Sequence, residues 1–149
     1  MVKIGTREEL HKKLEKIGKK IYGKDDCPFC DIVGQKEHIL WKGNFWYILH
    51  NLYSYSGNDK HIMAVPYEHK IYSTDLMIQE IQELEIVYKK VKEFFGEENY
   101  FSFTRETMAN RSVEHFHIHF LVGKLQGKYL RKMLQNQGFP IVENLDLKK

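Results

Sequence analysis

The stretch His115-Phe116-His117-Ile118-His119-Phe120-Leu121 constrains this chain more than any other. Its alternation has the period of a β-strand, whose successive side chains point to opposite faces. Phe116, Ile118 and Phe120 then share a face that must be buried, and His115, His117 and His119 share the other. Alternate side chains stand roughly 6.6 Å apart along such a strand. Three imidazoles on one rigid row can divide labour: one attacks, one holds a metal or orients its neighbour, one moves a proton. A three-histidine zinc site is the competing use of the same row.

The remaining pattern predicts an α+β fold. Thr6 and Glu9 form a capping-box pair, and Leu10, Leu14, Ile17 and Ile21 follow at helical spacing up to Gly23. Lys12, Lys13, Lys16, Lys19 and Lys20 lie on the other side of that helix, as a solvated face or a patch that attracts phosphate. Strands are expected over 38–42, 45–51 and 61–65, with Lys42-Gly43-Asn44 as a tight turn. A long helix, capped by Ser73, Thr74 or Asp75 and ended by Gly96, repeats Met77, Ile81, Leu84, Tyr88, Val91 and Phe95. Further strands are expected over 100–107 and 113–122. A short helix over 126–135 presents Leu130, Met133 and Leu134. The expected architecture is an antiparallel sheet of about five strands with the long helix packed on it, plus the N-terminal helix. Residues 1–24 read as a helical extension, 25–125 as the main domain, and 126–149 as a C-terminal helix and tail.

The 149 residues suit one domain, and 42% hydrophobic with 29% charged residues excludes wholesale disorder. A net charge of +3 is too small to demand a nucleic-acid partner. No run approaches the roughly 20 apolar residues of a membrane span, and the start lacks a secretory core. Two cysteines, Cys27 and Cys30, make no disulfide framework, so a cytoplasmic protein is expected. Cys27-Pro28-Phe29-Cys30 also reads as a thiol–disulfide motif. The preceding Tyr22-Gly23-Lys24-Asp25-Asp26 makes no strand, however, and its two acids would raise a thiol pKa.

The seven residues from His115 resemble the histidine-triad (HIT) motif at every position, and Ser112-Val113 resembles the pair that precedes it. The segment from Cys27 to Val33 resembles the opening of the family's zinc-containing branch. Residues 48–69 resemble its middle, where Asn51 ends a strand, His61 begins the next, and Pro66-Tyr67-Glu68-His69 follows. The resemblance spans about 27–122. It implies a HIT-like fold and a nucleotide hydrolase or nucleotidyl transferase. The reaction would lie at the α-phosphate of a purine nucleotide derivative, such as a dinucleoside polyphosphate or a nucleoside phosphoramidate. His117 would attack, with its second nitrogen bonded to a backbone carbonyl. His119 would face the phosphate or the leaving group and help proton transfer, and Ser112 would supply a hydroxyl to the leaving-group side or to a phosphate oxygen. No catalytic metal is required.

The resemblance further implies that Asn51 meets ribose hydroxyls while Pro28, Phe29 and Ile32 line the base pocket. Cys27, Cys30, His69 and His115 would hold a structural zinc, His61 would neighbour the triad, and the assembly would be a homodimer. Departures bear on the phosphate end. Arg111 stands where glutamine is usual, the segment 106–111 has no glycine, and the loop before His61 is long. Arg111 is then expected to contact phosphate, with Asn110 serving in part for the absent amide. A binding protein that senses nucleotides without turning them over is the alternative. His11, His38 and His50 have no motif context.

Overall fold

The computed structural model describes residues 2–109, 111–125 and 127–138. Five strands form one antiparallel sheet: β1 (Ile39–Lys42), β2 (Trp46–His50), β3 (His61–Pro66), β4 (Tyr100–Phe103) and β5 (Ile118–Val122). Their spatial order is β1-β2-β3-β5-β4. Helix α1 (Arg7–Lys16) precedes the sheet, α2 (Ile78–Phe95) joins β3 to β4, and α3 (Gly127–Asn136) follows β5. The expected α+β architecture is the one observed. No helix among the described residues is long and apolar enough to cross a membrane.

Each face of the sheet has its own cover, so β2 and β3 are buried at every position and show no polar alternation. On one face Trp46, Ile48, Ile62 and Ala64 pack with Phe116, Ile118 and Phe120 against Val87, Val91 and Phe95 of α2. That places the apolar half of the triad stretch in the core, as its period requires. On the other face Tyr47, Leu49, Met63 and Val65 lie beneath Cys27, Phe29 and Val113. Most of this second cover belongs to the irregular segment before β1, with Val113 contributed by the stretch before β5, and it forms one wall of the site described below.

Helix α2 turns a different side to the sheet from the one its hydropathy suggests. Val91 and Phe95 are buried, but so are Glu80 and Glu83, while Ile81 and Tyr88 are 48% and 47% exposed. The cause is a set of hydrogen bonds at the β1–β2 turn. The Glu83 carboxylate accepts the N–H groups of Asn44, Phe45 and Trp46 at 2.7, 2.7 and 2.8 Å. The Trp46 indole donates to the Glu80 carbonyl at 2.8 Å. Gly43 is required there, because a Cβ would lie 2.4 Å from the Trp41 ring and 2.8 Å from the Glu83 carboxylate. The expected capping residues Ser73 to Asp75 form a separate 3₁₀ turn. Helix α2 itself starts after Met77, whose N–H bonds Glu80.

Three boundaries also differ. Helix α1 has the expected capping box but stops at Lys16, because Gly18 takes a left-handed φ of 70° and turns the chain away. Tyr22 then bridges to Val113. Strand β4 ends at Phe103, short of Thr107. Strand β5 begins at Ile118, not Val113, so His115 and His117 lie just before the ladder. The last β3–β5 pair is Ala64 with Ile118, and two residues further along β3 stands Pro66, which has no N–H to give. Phe116 bonds the Lys70 carbonyl instead. The helix over 126–135 is found at Gly127–Asn136, with Leu130, Met133 and Leu134 on its less exposed side. The predicted tail beyond Gly138 lies outside the described residues.

Replacing Glu83 by Ala leaves three backbone donors at the turn without their acceptor. The expected cost is about 2–3 kcal/mol of unfolding free energy, read from urea denaturation. A loss below about 0.5 kcal/mol would mean that water caps the turn equally well.

Candidate active site and metal cluster

Register places His119 of β5 opposite Met63 on one side and Phe103 on the other, on the sheet face away from α2. Its ring stacks on Phe103 at 4.6 Å and is 3% exposed. His117 lies just ahead of the strand. Its ring meets His119 edge-on at 4.6 Å and Phe29 at 5.1 Å. His117 Nδ1 bonds the His115 carbonyl at 2.7 Å, and that acceptor obliges Nδ1 to carry the hydrogen. Nε2 therefore keeps its lone pair. Burial draws the His117 pKa down to about 4, so the ring is neutral at pH 7.

The tautomers of His61 and His119 follow from one backbone donor. The Tyr55 N–H bonds His61 Nδ1 at 3.0 Å, which makes that nitrogen an acceptor. Burial holds both rings well below the usual histidine pKa, so both are neutral. His61 then carries its hydrogen on Nε2 and donates it to His119 Nδ1 at 2.8 Å. His119 in turn carries its hydrogen on Nε2. That nitrogen lies 3.5 Å from Arg105 Nη1, so two donors face each other with no acceptor between them.

A cleft beside His117 is lined by Pro28, Phe29, Asn51, Tyr55, Ser112 and the guanidinium groups of Arg7 and Arg105. Asn51 ends β2 as expected. Its Oδ1 accepts the Tyr53 N–H at 2.9 Å, and its amide nitrogen lies 3.3 Å from His61 Nε2. Phe29 belongs both to the cleft and to the core, whereas Ile32 packs on the core cluster and does not line the cleft. Ser112 Oγ accepts from Arg7 Nη2 at 2.8 Å. Arg111 touches the cleft, but its hydrogens go to the carbonyls of Arg105, Ile71 and Glu114. It ties the loop before the triad together. Asn110 lies outside the described residues.

Arg7 and Arg105 were not among the residues singled out from the sequence. Arg105 had a signal, since it shares the alternation of Phe101 and Phe103 and so follows Phe103 towards His119. Arg7 had none, because a capping box fixes where a helix begins and not where it docks.

The four residues expected to hold zinc converge. The ligand atoms of Cys27, Cys30, His69 and His115 lie within 4.8 Å of one another. Cys27 Sγ and Cys30 Sγ are 3.4 and 3.5 Å from His115 Nδ1, and Cys30 Sγ is 3.3 Å from His69 Nδ1. A tetrahedral zinc with ordinary bond lengths separates sulfur from nitrogen by about 3.5 Å. Both rings are oriented for such a role. His115 Nε2 donates to the Pro66 carbonyl at 2.8 Å and His69 Nε2 to Glu114 at 2.9 Å, which turns each Nδ1 lone pair to the centre. The donor set therefore fits a closed tetrahedral metal. Without a metal, burial pushes the Cys27 thiol up to about 12, the opposite of an activated redox thiol.

No known family profile and no curated protein matches the sequence. Solved structures match its fold. A histidine triad protein from Clostridium difficile is 21% identical with a TM-score of 0.54, over 71% of this chain and 97% of that one. A HIT family hydrolase from Clostridium thermocellum is 24% identical with a TM-score of 0.55, over 70% and 96%. A HIT family member from Bacillus subtilis is 17% identical with a TM-score of 0.56, over 78% and 80%. The chain has the fold of the histidine-triad proteins.

Long-range ¹H–¹⁵N spectra at pH 7 test the tautomers. His117 is expected as the Nδ1–H form, and His61 and His119 as Nε2–H forms; an imidazolium at any of the three would contradict the bonding above. Because these rings titrate lower in the folded chain than in the unfolded one, the unfolded state binds more protons below pH 6.5. Unfolding free energy should therefore fall as pH drops from about 6.5 towards 4. A flat profile over that window would mean the rings are not held neutral.

Proposed function

We propose that the protein is a nucleotide hydrolase or nucleotidyl transferase acting at the α-phosphate of a purine nucleotide derivative, through a nucleotidyl-histidine intermediate. The observation that carries this reading is the His117 Nδ1 bond to the His115 carbonyl, which leaves a neutral, unprotonated Nε2 in a ring that lines the cleft. Imidazole in that form is a competent nucleophile at pH 7 without a second base. Nε2 attacks phosphorus, the bond to the leaving group breaks, and water or another acceptor later displaces the nucleotide from His117. Pro28 and Phe29 offer apolar surface for the base, and Asn51 ends β2 where its amide can bond ribose hydroxyls. Ser112 is proposed to face the leaving-group side.

His119 takes a more specific part than proton shuttle. Its only ring hydrogen is on Nε2, and giving that hydrogen up would create an imidazolate. It is proposed instead to donate a hydrogen bond to a phosphate oxygen as charge builds there, with His61 holding it in that tautomer. The metal cluster is proposed to bind zinc, which would staple the segment before β1 to the stretch before β5 and leave the chemistry to His117. The protein is further proposed to be a homodimer, the exposed Ile78, Ile81 and Tyr88 of α2 meeting a second copy.

With dinucleoside polyphosphates and nucleoside phosphoramidates as substrates, His117→Ala should lose essentially all turnover while still binding a nucleoside monophosphate. His119→Ala should lose about 10²–10³-fold, the range for one transition-state hydrogen-bond donor. Activity surviving in His117→Ala would overturn the mechanism, and binding without turnover in the unmodified protein would make it a sensor. Native mass spectrometry should find two chains carrying one zinc each, and the zinc should be lost on Cys30→Ser with a lower melting temperature. A metal-free or monomeric protein would remove the corresponding proposal.

A further inference from the structure

Arg7 reaches the cleft from outside the segment that resembles the triad family. Leu10 and Leu14 are buried and dock α1, and the Gly5 N–H bonds the Leu52 carbonyl at 2.6 Å. This brings the first turn of α1 to the mouth of the site. Arg7 Nη2 holds the Ser112 hydroxyl, while its Nε is buried without a hydrogen-bond partner. The guanidinium groups of Arg7 and Arg105 lie over the same Tyr55 ring, at 5.1 and 5.6 Å from its centre. Among the described residues no carboxylate pairs with either, and none lines the cleft, whereas Lys13 does. Arg105 Nη2 donates to the Gln137 amide oxygen at 2.7 Å, so the side-chain acceptors of both groups are neutral. Two like charges held together, partly desolvated and without a counter-charge, are costly unless an anion joins them. The facing donors Arg105 Nη1 and His119 Nε2 have the same need.

The cations continue past the site. An adjoining cleft shares Arg7, Arg111 and Ser112 with the first and is lined further by His11, Lys19 and Lys20. Lys19 is paired with Asp26, and Glu15 is the one carboxylate among the described lining residues.

We propose that Arg7 and Arg105 form an anion subsite for the phosphates beyond the α-phosphate, which makes the substrate a nucleotide with a polyphosphate leaving group. This rests on the nucleotidyl-transfer reading and narrows it. The bond from His117 Nε2 to the α-phosphorus forms, the bridging P–O bond breaks, and its electron pair stays on the departing phosphate oxygen. Such a leaving group needs no proton, in keeping with a neutral His119 that has none to spare. An amine leaving from a phosphoramidate would need one. Arg7 then selects the substrate class through charge, and guanidinium is suited to it by its paired donors.

Two measurements decide this. The first is calorimetric binding of inorganic tripolyphosphate to the full chain and to Arg7→Gln. An affinity at least tenfold weaker in the variant is expected, the effect of one charge-assisted hydrogen-bonding group, with partial recovery in Arg7→Lys. Equal affinities would overturn the subsite, and matched melting temperatures exclude misfolding. The second compares kcat/KM for a dinucleoside tetraphosphate with that for a nitrophenyl ester of the same nucleotide. Arg7→Gln should lose at least tenfold more on the polyphosphate than on the ester, and equal losses would reject charge selection. If the unmodified protein turns over neither compound, the hydrolase reading fails, and the tripolyphosphate experiment still decides the subsite.

Discussion

The backbone carbonyl of His115 accepts the hydrogen of His117 Nδ1, and the geometry of the whole site hangs from that bond. A carbonyl can only accept, so the bond fixes which nitrogen of His117 keeps its lone pair. The same residue is held from its other end. Its ring donates to the Pro66 carbonyl and turns Nδ1 towards the two cysteine sulfurs. One residue thus joins the candidate metal-binding cluster, the end of β3 and the His117 imidazole. The four converging metal-ligating side chains and the open cleft are two sides of a single short segment, and what rigidifies one rigidifies the other.

The break in the β3–β5 ladder makes this junction possible. Had β5 begun at Val113, the His115 carbonyl would have faced a strand partner. Pro66 has no N–H to offer, so pairing stops at Ala64 and Ile118. The chain just upstream is then free to spend its polar groups locally. The Pro66 carbonyl takes the His115 ring, the His115 carbonyl takes the His117 ring, and Phe116 reaches Lys70. Phe116 still points to the core. The side-chain alternation survives although the ladder does not.

That distinction marks what was legible in the sequence. The strict alternation of Phe116, Ile118 and Phe120 announced a buried face, and hydrophobic burial enforces it whether or not a partner strand is present. The capping box and the Cys-x-x-Cys spacing were legible because each is a local motif whose geometry its own residues set. The orientation of α2 was not, because it is decided by Glu80 and Glu83. Both are buried charged residues: Glu83 is offset by three backbone donors from a turn some forty positions away in sequence, and the Glu80 carboxylate by the Met77 N–H and Lys70. Hydropathy assigns such residues to solvent. Arg7 was hidden for a related reason, since its importance arises only where α1 docks. Arg111 was legible as a cation but not as a scaffold, because its three carbonyl partners come from separate loops.

The charge pattern of the site links these long-range features to chemistry. Burial keeps the histidines neutral, so the positive charge at the cleft comes from Lys13 and from arginine, which does not titrate in the accessible range. On the proposed reading the attacking group and the groups that neutralise phosphate are different residues, so neither task compromises the other. A protonated His117 would hold phosphate well and attack it badly. In the proposed site a neutral His117 would attack while Arg7 and Arg105 hold the phosphates, their present side-chain acceptors being the neutral Ser112 hydroxyl and Gln137 amide oxygen. Among the described residues no carboxylate of the chain satisfies them. In the proposed reaction the repulsion between the two arginines would be relieved by the substrate itself, and most fully by the one that brings the most phosphate.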